Sequence, residues 1–261
     1  MCYPSVMRYL ALAFLFLFAP PLVADSYEEL AAKGVYDYVN KYGYNDDLDQ
    51  NVAEDLWSAG GTYIFSTTAF NFVVASTSIA DDAGSTGALT LLVSGLDQNW
   101  DRASETVIMD GQTDVTSVGL YMRVFRAQVL TAGSGGQAAG NISISLNSNV
   151  SCFILAGEWN QSQMAIYTIP RNFTGLLMSY SCALLRGGTG AVDCQLYDKE
   201  QGEVFHLMHQ SVAGAGSVSP PTLPFLPIRI PEKADVKLRG IASQNNSPTV
   251  GAFTIILIPK S

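Results

Sequence analysis

The sequence predicts an all-β protein, and three observations carry that prediction. Only 14% of the 261 residues are charged, while Gly, Ser, Thr and Asn abound, as in chains of short strands joined by tight turns. Beyond Gly60-Gly61 the apolar residues alternate with period two, the spacing of a half-buried strand. Turn signals then recur at short intervals, and about a dozen strands are expected by this pattern. Strands in that number and spacing favour two antiparallel β-sandwich, jelly-roll-like domains over one.

Taken in chain order, residues 1–24 stand apart. Arg8 precedes an apolar run from Tyr9 to Phe18, and Pro20-Pro21 leads to Ala24. This resembles a secretory signal and is too short for a transmembrane helix, so no stable membrane span is expected after its removal. The alternative is a mis-assigned start that prepends upstream sequence. Residues 25–56 are expected to form an N-terminal arm holding one short helix, with Ser26 as N-cap, Glu28 and Glu29 in its first turn, and Gly34 as its stop. The acidic stretch that follows Tyr42 reads as extended chain lying on a neighbour. Tyr42, Tyr44, Leu56 and Trp57 are the expected partner contacts, since aromatic side chains bury large area at small entropic cost; Trp57 serves equally as the start of the core.

The first sandwich is placed at residues 57–158 and the second at 159–261, divided in the polar stretch Ala156 to Gln161. Within them Ile142, Ile144 and Leu146 alternate with Ser143, Ser145 and Asn147. Leu89/Leu91/Val93 and Val236/Leu238 repeat the pattern, the latter between Asp235, Lys237 and Arg239 as outward residues. Turns are expected at Gly84, Gly95 to Asn99, Asp110-Gly111, Gly133 to Gly136, Gly187 to Gly190 and Gly214 to Gly216.

Cys182 and Cys194 lie at equal distances from Gly188. A hairpin around residues 186–190 would set them opposite one another, where a cross-strand disulfide is geometrically allowed. A reduced, packed pair fits as well, because Cys152 is left odd and cytoplasmic assembly keeps thiols reduced.

Catalytic and metal chemistry find little support. His206 and His209 are three apart and point to opposite faces of a strand. Asn45, Asp47 and Asp49 imitate a calcium loop, but Gln50 stands where that loop needs Gly and Leu56 where it needs Glu. Gly133 to Gly136 precedes no helix and is no phosphate cradle. No enzyme activity, metal or cofactor is therefore expected. The net charge of −9, from 23 acidic against 14 basic residues, disfavours nucleic acid as a partner. Trp100 and Trp159 in polar surroundings are candidate ligand-stacking residues, whether for sugar rings or for their own loops.

Five phrases carry a resemblance: Gly87 to Asn99 running on to Ser104 to Val107, Tyr121 to Ala127, Gln163 to Pro170, Gly202 to Phe205, and Pro231 to Lys237. In this order they resemble a poorly characterised family of virion structural proteins from marine tailed phages, over about Val52 to Ile258. The resemblance implies a non-enzymatic, β-rich component of the head, neck or tail, present in many copies and partnered by copies of itself and other virion proteins. Residues 1–24 depart from that family's pattern. They keep open an exported carbohydrate- or surface-binding β-sandwich, secreted or periplasmic, with glycans as partners.

Overall fold

The computed structural model describes residues 25–157, 159–185, 187–215 and 226–260. The signal-like segment, and the Arg186 and Gly216 positions of two expected turns, lie outside them. The described chain is almost entirely antiparallel β. One helix, α1 (Tyr27–Ala32), precedes β1 (Asp37–Leu48), β2 (Ala53–Asp55), β3 (Phe72–Ser76), β4 (Ala88–Asp97), β5 (Arg102–Ile108), β6 (Val115–Thr116), β7 (Tyr121–Ala132) and β8 (Ile142–Leu146). There follow β9 (Asn149–Ile154), β10 (Ile166–Thr168), β11 (Phe173–Leu184), β12 (Ala191–Lys199), β13 (His206–Gly214), β14 (Ile228–Ile230), β15 (Asp235–Ala242) and β16 (Ser247–Pro259).

Helix α1 begins where its residues dictate. Ser26 Oγ accepts from Glu29 N–H while the Glu29 carboxylate accepts from Ser26 N–H, a reciprocal cap that satisfies two otherwise orphaned donors. Gly34 follows it at φ 73°. Through Ala31 the helix packs on Leu176 and Ile256.

The strands form four sheets, in the orders β1-β16-β11-β14, β10-β15-β12-β13 with β2 also on β15, β6-β3-β8-β9, and β5-β4-β7. The first two enclose one core, where Tyr180, Cys182, Phe253 and Ile255 meet Val192, Leu196, Val236 and Leu238. The last two enclose another, around Phe72, Val74, Leu91, Val124, Ile142 and Ile144. Period-two alternation threads the chain between them. Leu56 enters the first core and Trp57 the second; likewise Ala165 and Tyr167 enter the first while Met164 and Ile166 enter the second.

Two expectations are corrected here. The stretch read as a free arm is not extended over a neighbour: β1 pairs antiparallel with β16 from Asp37↔Leu257 to Leu48↔Ser247, and β2 pairs with β15. Leu56 and Trp57 are core residues, buried within the chain rather than held out as contacts. Burial of Leu48, Leu56 and the side chain of Asn45 fixes the segment in place. Gly43 permits this approach, because a Cβ there would lie 2.0 Å from Leu56 O and 2.5 Å from Ala165 N.

The second correction concerns the expected β11–β12 hairpin. β11 pairs with β14 and β16, whereas β12 pairs with β13 and β15. The connection around Gly187 to Gly190 passes from one sheet to another, and the Cys182–Cys194 disulfide, with Cα atoms 6.3 Å apart, joins facing sheets rather than neighbouring strands. The glycine at 95 is likewise no turn. It lies inside β4 at a register shift against β7, where a Cβ would come within 1.9 Å of Arg123 O, as in a bulge.

β15 departs from its expected half-exposed pattern, for Asp235 and Lys237 are buried along with their apolar neighbours. Both are paired. Lys237 Nζ lies 2.9 Å from Asp55 Oδ1, and Asp235 is engaged by Arg123. Burial pushes the Asp55 carboxyl up and the Lys237 ammonium down in spite of their mutual attraction, so desolvation outweighs Coulombic gain at this pair.

Candidate functional site

β1 is an edge strand of its sheet, and a cleft opens along it. This cleft of about 610 Å³ lies between residues 38–41 of β1, the β5-β4-β7 sheet and Tyr167 of β10. It therefore sits at the junction of the two cores, a common place for ligand sites. Rings of Phe125 and Tyr167, with centroids 4.7 Å apart, supply an apolar wall. Asn40, Ser94 and Ser104 supply neutral polar groups.

Its charged lining is wholly basic: Lys41, Arg102 and Arg126. Arg102 is answered by Asp37 at the rim, 2.7 Å away, and stacks on Phe173. Among the described residues the other two have no such partner, and Arg126 reaches the neutral Gln161 amide oxygen, at 3.2 Å. Lys41 is 7% exposed and donates to the Phe125 carbonyl, with no carboxylate in ion-pair reach among the described residues. Burial lowers its ammonium from the ordinary 10.5 to about 7; Cys152 pulls against that shift, and the Arg126 charge adds to it by less. Close by, burial pushes the Cys152 thiol up to about 11, so it stays protonated and uncharged.

The outward positions of β1 carry a row of aromatics, the first of which, Tyr38, also borders the cleft. Alternation places Tyr38, Tyr42 and Tyr44 on a common face. Tyr38 is 59% and Tyr42 46% exposed, and Trp159 is 44% exposed. Trp159 meets Tyr44 edge-on at 4.8 Å. Sequence reasoning named three of these four separately; the structure brings Tyr44 and Trp159 into contact, although 115 positions separate them.

Trp100 is placed differently. It sits in the turn after β4 at φ 67°, with the Arg123 guanidinium 5.0 Å and Lys233 Nζ 6.0 Å from its ring centroid. Both cations lie within cation–π reach of this candidate stacking ring. His206 lies near Glu203 and His209 is hydrogen-bonded to the Tyr180 hydroxyl. Asn45 is buried and bonds Glu54 and the Asp55 carbonyl, which makes it a structural residue rather than part of a solvated calcium-loop mimic.

Lys41 and Arg126 were not singled out by sequence reasoning. Lys41 does carry a signal, since it occupies an inward position in the β1 alternation of Val39, Lys41, Gly43 and Asn45. No protein-family model matches the chain, and no curated protein matches it.

Proposed function

We propose that this chain is a non-enzymatic structural protein of a tailed-phage particle, assembling in many copies on the head, neck or tail, and built as two antiparallel, jelly-roll-like sandwiches. The five phrases that resemble the virion family motivate the reading. The observation that carries it is the β1 edge, twelve residues long and bearing the exposed Tyr38 and Tyr42. An unpaired edge beside exposed aromatics is suited to joining a neighbouring subunit. The two cores support the two-sandwich description, with β1 and β2 completing the C-terminal unit instead of preceding both.

Mass spectrometry of purified particles tests the assignment, and peptides of this chain should be detected at high copy number. Replacing Tyr38 and Tyr42 by Lys should leave the fold intact and abolish incorporation. Normal incorporation of that variant would remove the edge as the assembly surface.

A second reading, an exported carbohydrate- or surface-binding sandwich, is favoured by one pair of observations: the half-exposed Trp159 on Tyr44, and a Cys182–Cys194 bond of the kind that oxidising compartments maintain. Glycan-array binding lost on Trp159→Ala would support it over the virion reading.

A further inference from the structure

We propose that the cleft along β1 binds a hydroxylated organic anion the size of an acidic sugar ring, with Arg126 and Lys41 holding its carboxylate. The inference goes beyond the assembly reading and rests on the basic lining of the cleft, Arg126 and Lys41, rather than on the exposed Tyr38 and Tyr42.

The argument begins with charge. A chain with net charge −9 has ample carboxylates, yet among the described residues none lines this cleft. Lys41 and Arg126 both line it, close enough to perturb one another, and neither has an acidic partner among the described residues, an arrangement whose repulsion a bound anion relieves. Arg123 and Lys237, equally buried, each have an aspartate, so the omission belongs to the cleft and not to buried cations of this fold in general.

Shape and lining narrow the ligand further. The volume lies within the range of small-molecule sites and exceeds what a lone inorganic ion needs. The Phe125 and Tyr167 rings offer an apolar surface to the face of a sugar. Asn40, Ser94 and Ser104 offer donors and acceptors to hydroxyl groups. Gly95 keeps the wall between Ser94 and Arg126 free of a side chain. A bound carboxylate would also hold the proton on Lys41, so binding near neutral pH takes up a proton. The other groups facing that ammonium are Arg126, the Arg102–Asp37 pair, the uncharged Cys152 thiol and the Tyr38 and Tyr167 phenols.

Isothermal titration of the full chain with glucuronate, glucose and sodium sulfate tests the proposal. Glucuronate should bind, glucose should not, and sulfate should bind more weakly than glucuronate. Arg126→Gln removes an exposed side chain, keeps the near-UV circular dichroism spectrum, and should weaken glucuronate binding about tenfold, the usual loss for one charge-assisted hydrogen bond. Lys41→Met should abolish it. No glucuronate binding, equal affinity for glucose, equal affinity for sulfate, or unchanged binding by a folded Arg126→Gln would each overturn the proposal.

Discussion

Arg123 on β7 and Asp235 on β15 form a two-pronged ion pair, Nε to Oδ1 at 3.0 Å and Nη2 to Oδ2 at 2.9 Å. It ties the three-stranded sheet of one core to the β10-β15-β12-β13 sheet of the other. Thr168 Oγ1 donates to the same carboxylate at 2.6 Å, and the guanidinium also donates to the Met122 and Ser66 carbonyls. Phe65 and Trp100 lie over its faces. Every polar atom of the pair is thus engaged, which is what a buried pair needs to be tolerated.

Removing one member strands the other. Asp235→Ala should lower the unfolding free energy by about 3–5 kcal/mol, read by urea denaturation. Asp235→Ala with Arg123→Met should recover much of that loss, because no uncompensated charge remains buried. A double variant as unstable as the sum of the two single variants would show that the residues do not act as a pair.

Asp81 is a comparable anchor within the other core. Its two oxygens accept from the N–H groups of Ala88, Ala139 and Gly140 and from Ser76 Oγ, at 2.5–2.9 Å. Asp81→Ala should leave three buried donors unpaired and lower stability by roughly 3 kcal/mol or more. Asp81→Asn keeps one acceptor oxygen and should lose less. Equal effects from the two would contradict this account.

The Cys182–Cys194 bond closes a short loop of twelve residues' separation, for which loop-closure entropy gives about 3 kcal/mol. Alkylation of the denatured, unreduced protein should label Cys152 and spare Cys182 and Cys194. Replacing both bonded cysteines by Ala should reduce stability by about that amount. Labelling of all three would exclude the bond.

The cysteine pair also shows what the sequence leaves undetermined. Alternation on either side of Gly188 assigns Tyr180, Cys182 and Leu184 to one face, and Val192, Cys194 and Leu196 to one face. Two strands with matching inward faces satisfy that pattern as neighbours in a sheet or as opposing strands across a core. Period two reports which face is buried, never which strand is adjacent. Strand pairing was decided by distant partners, β16 for β11 and β15 for β12.

The all-β class, the cap of α1 and the alternation of β8 were legible because each depends on local spacing. The polarity of β1 suggests exposure, but its strand pairing buries every second residue from Lys41 to Asn45. Asn45 and Lys41 are polar yet inward, and Glu54 and the Phe125 carbonyl that receive them come from elsewhere in the chain. The same reasoning explains Asp235 and Lys237, whose partners lie 112 and 182 residues away. The cleft was invisible for that reason as well, since five separate strands contribute to it.

Lys41 gives a pH-dependent prediction whose direction is fixed by its titration. In the unfolded chain the amine keeps its ordinary value of 10.5, whereas in the folded protein it falls to about 7. Between these values the unfolded state binds more protons than the folded state, so this group makes stability rise with pH across the window. Below about 7 both states are protonated, and the full penalty of burying the ammonium is present; a shift of this size corresponds to a few kcal/mol. Lys41→Met keeps the volume and removes the charge. It should therefore be more stable than the parent at pH 6, by a few kcal/mol less the lost hydrogen bond to Phe125 O, and the difference should shrink as pH approaches 10.5. Urea unfolding of both proteins at pH 6, 8 and 10 measures it. A stability difference that stays constant over that range would mean that Lys41 remains charged in the folded protein, and that the cleft already meets its charge in some other way.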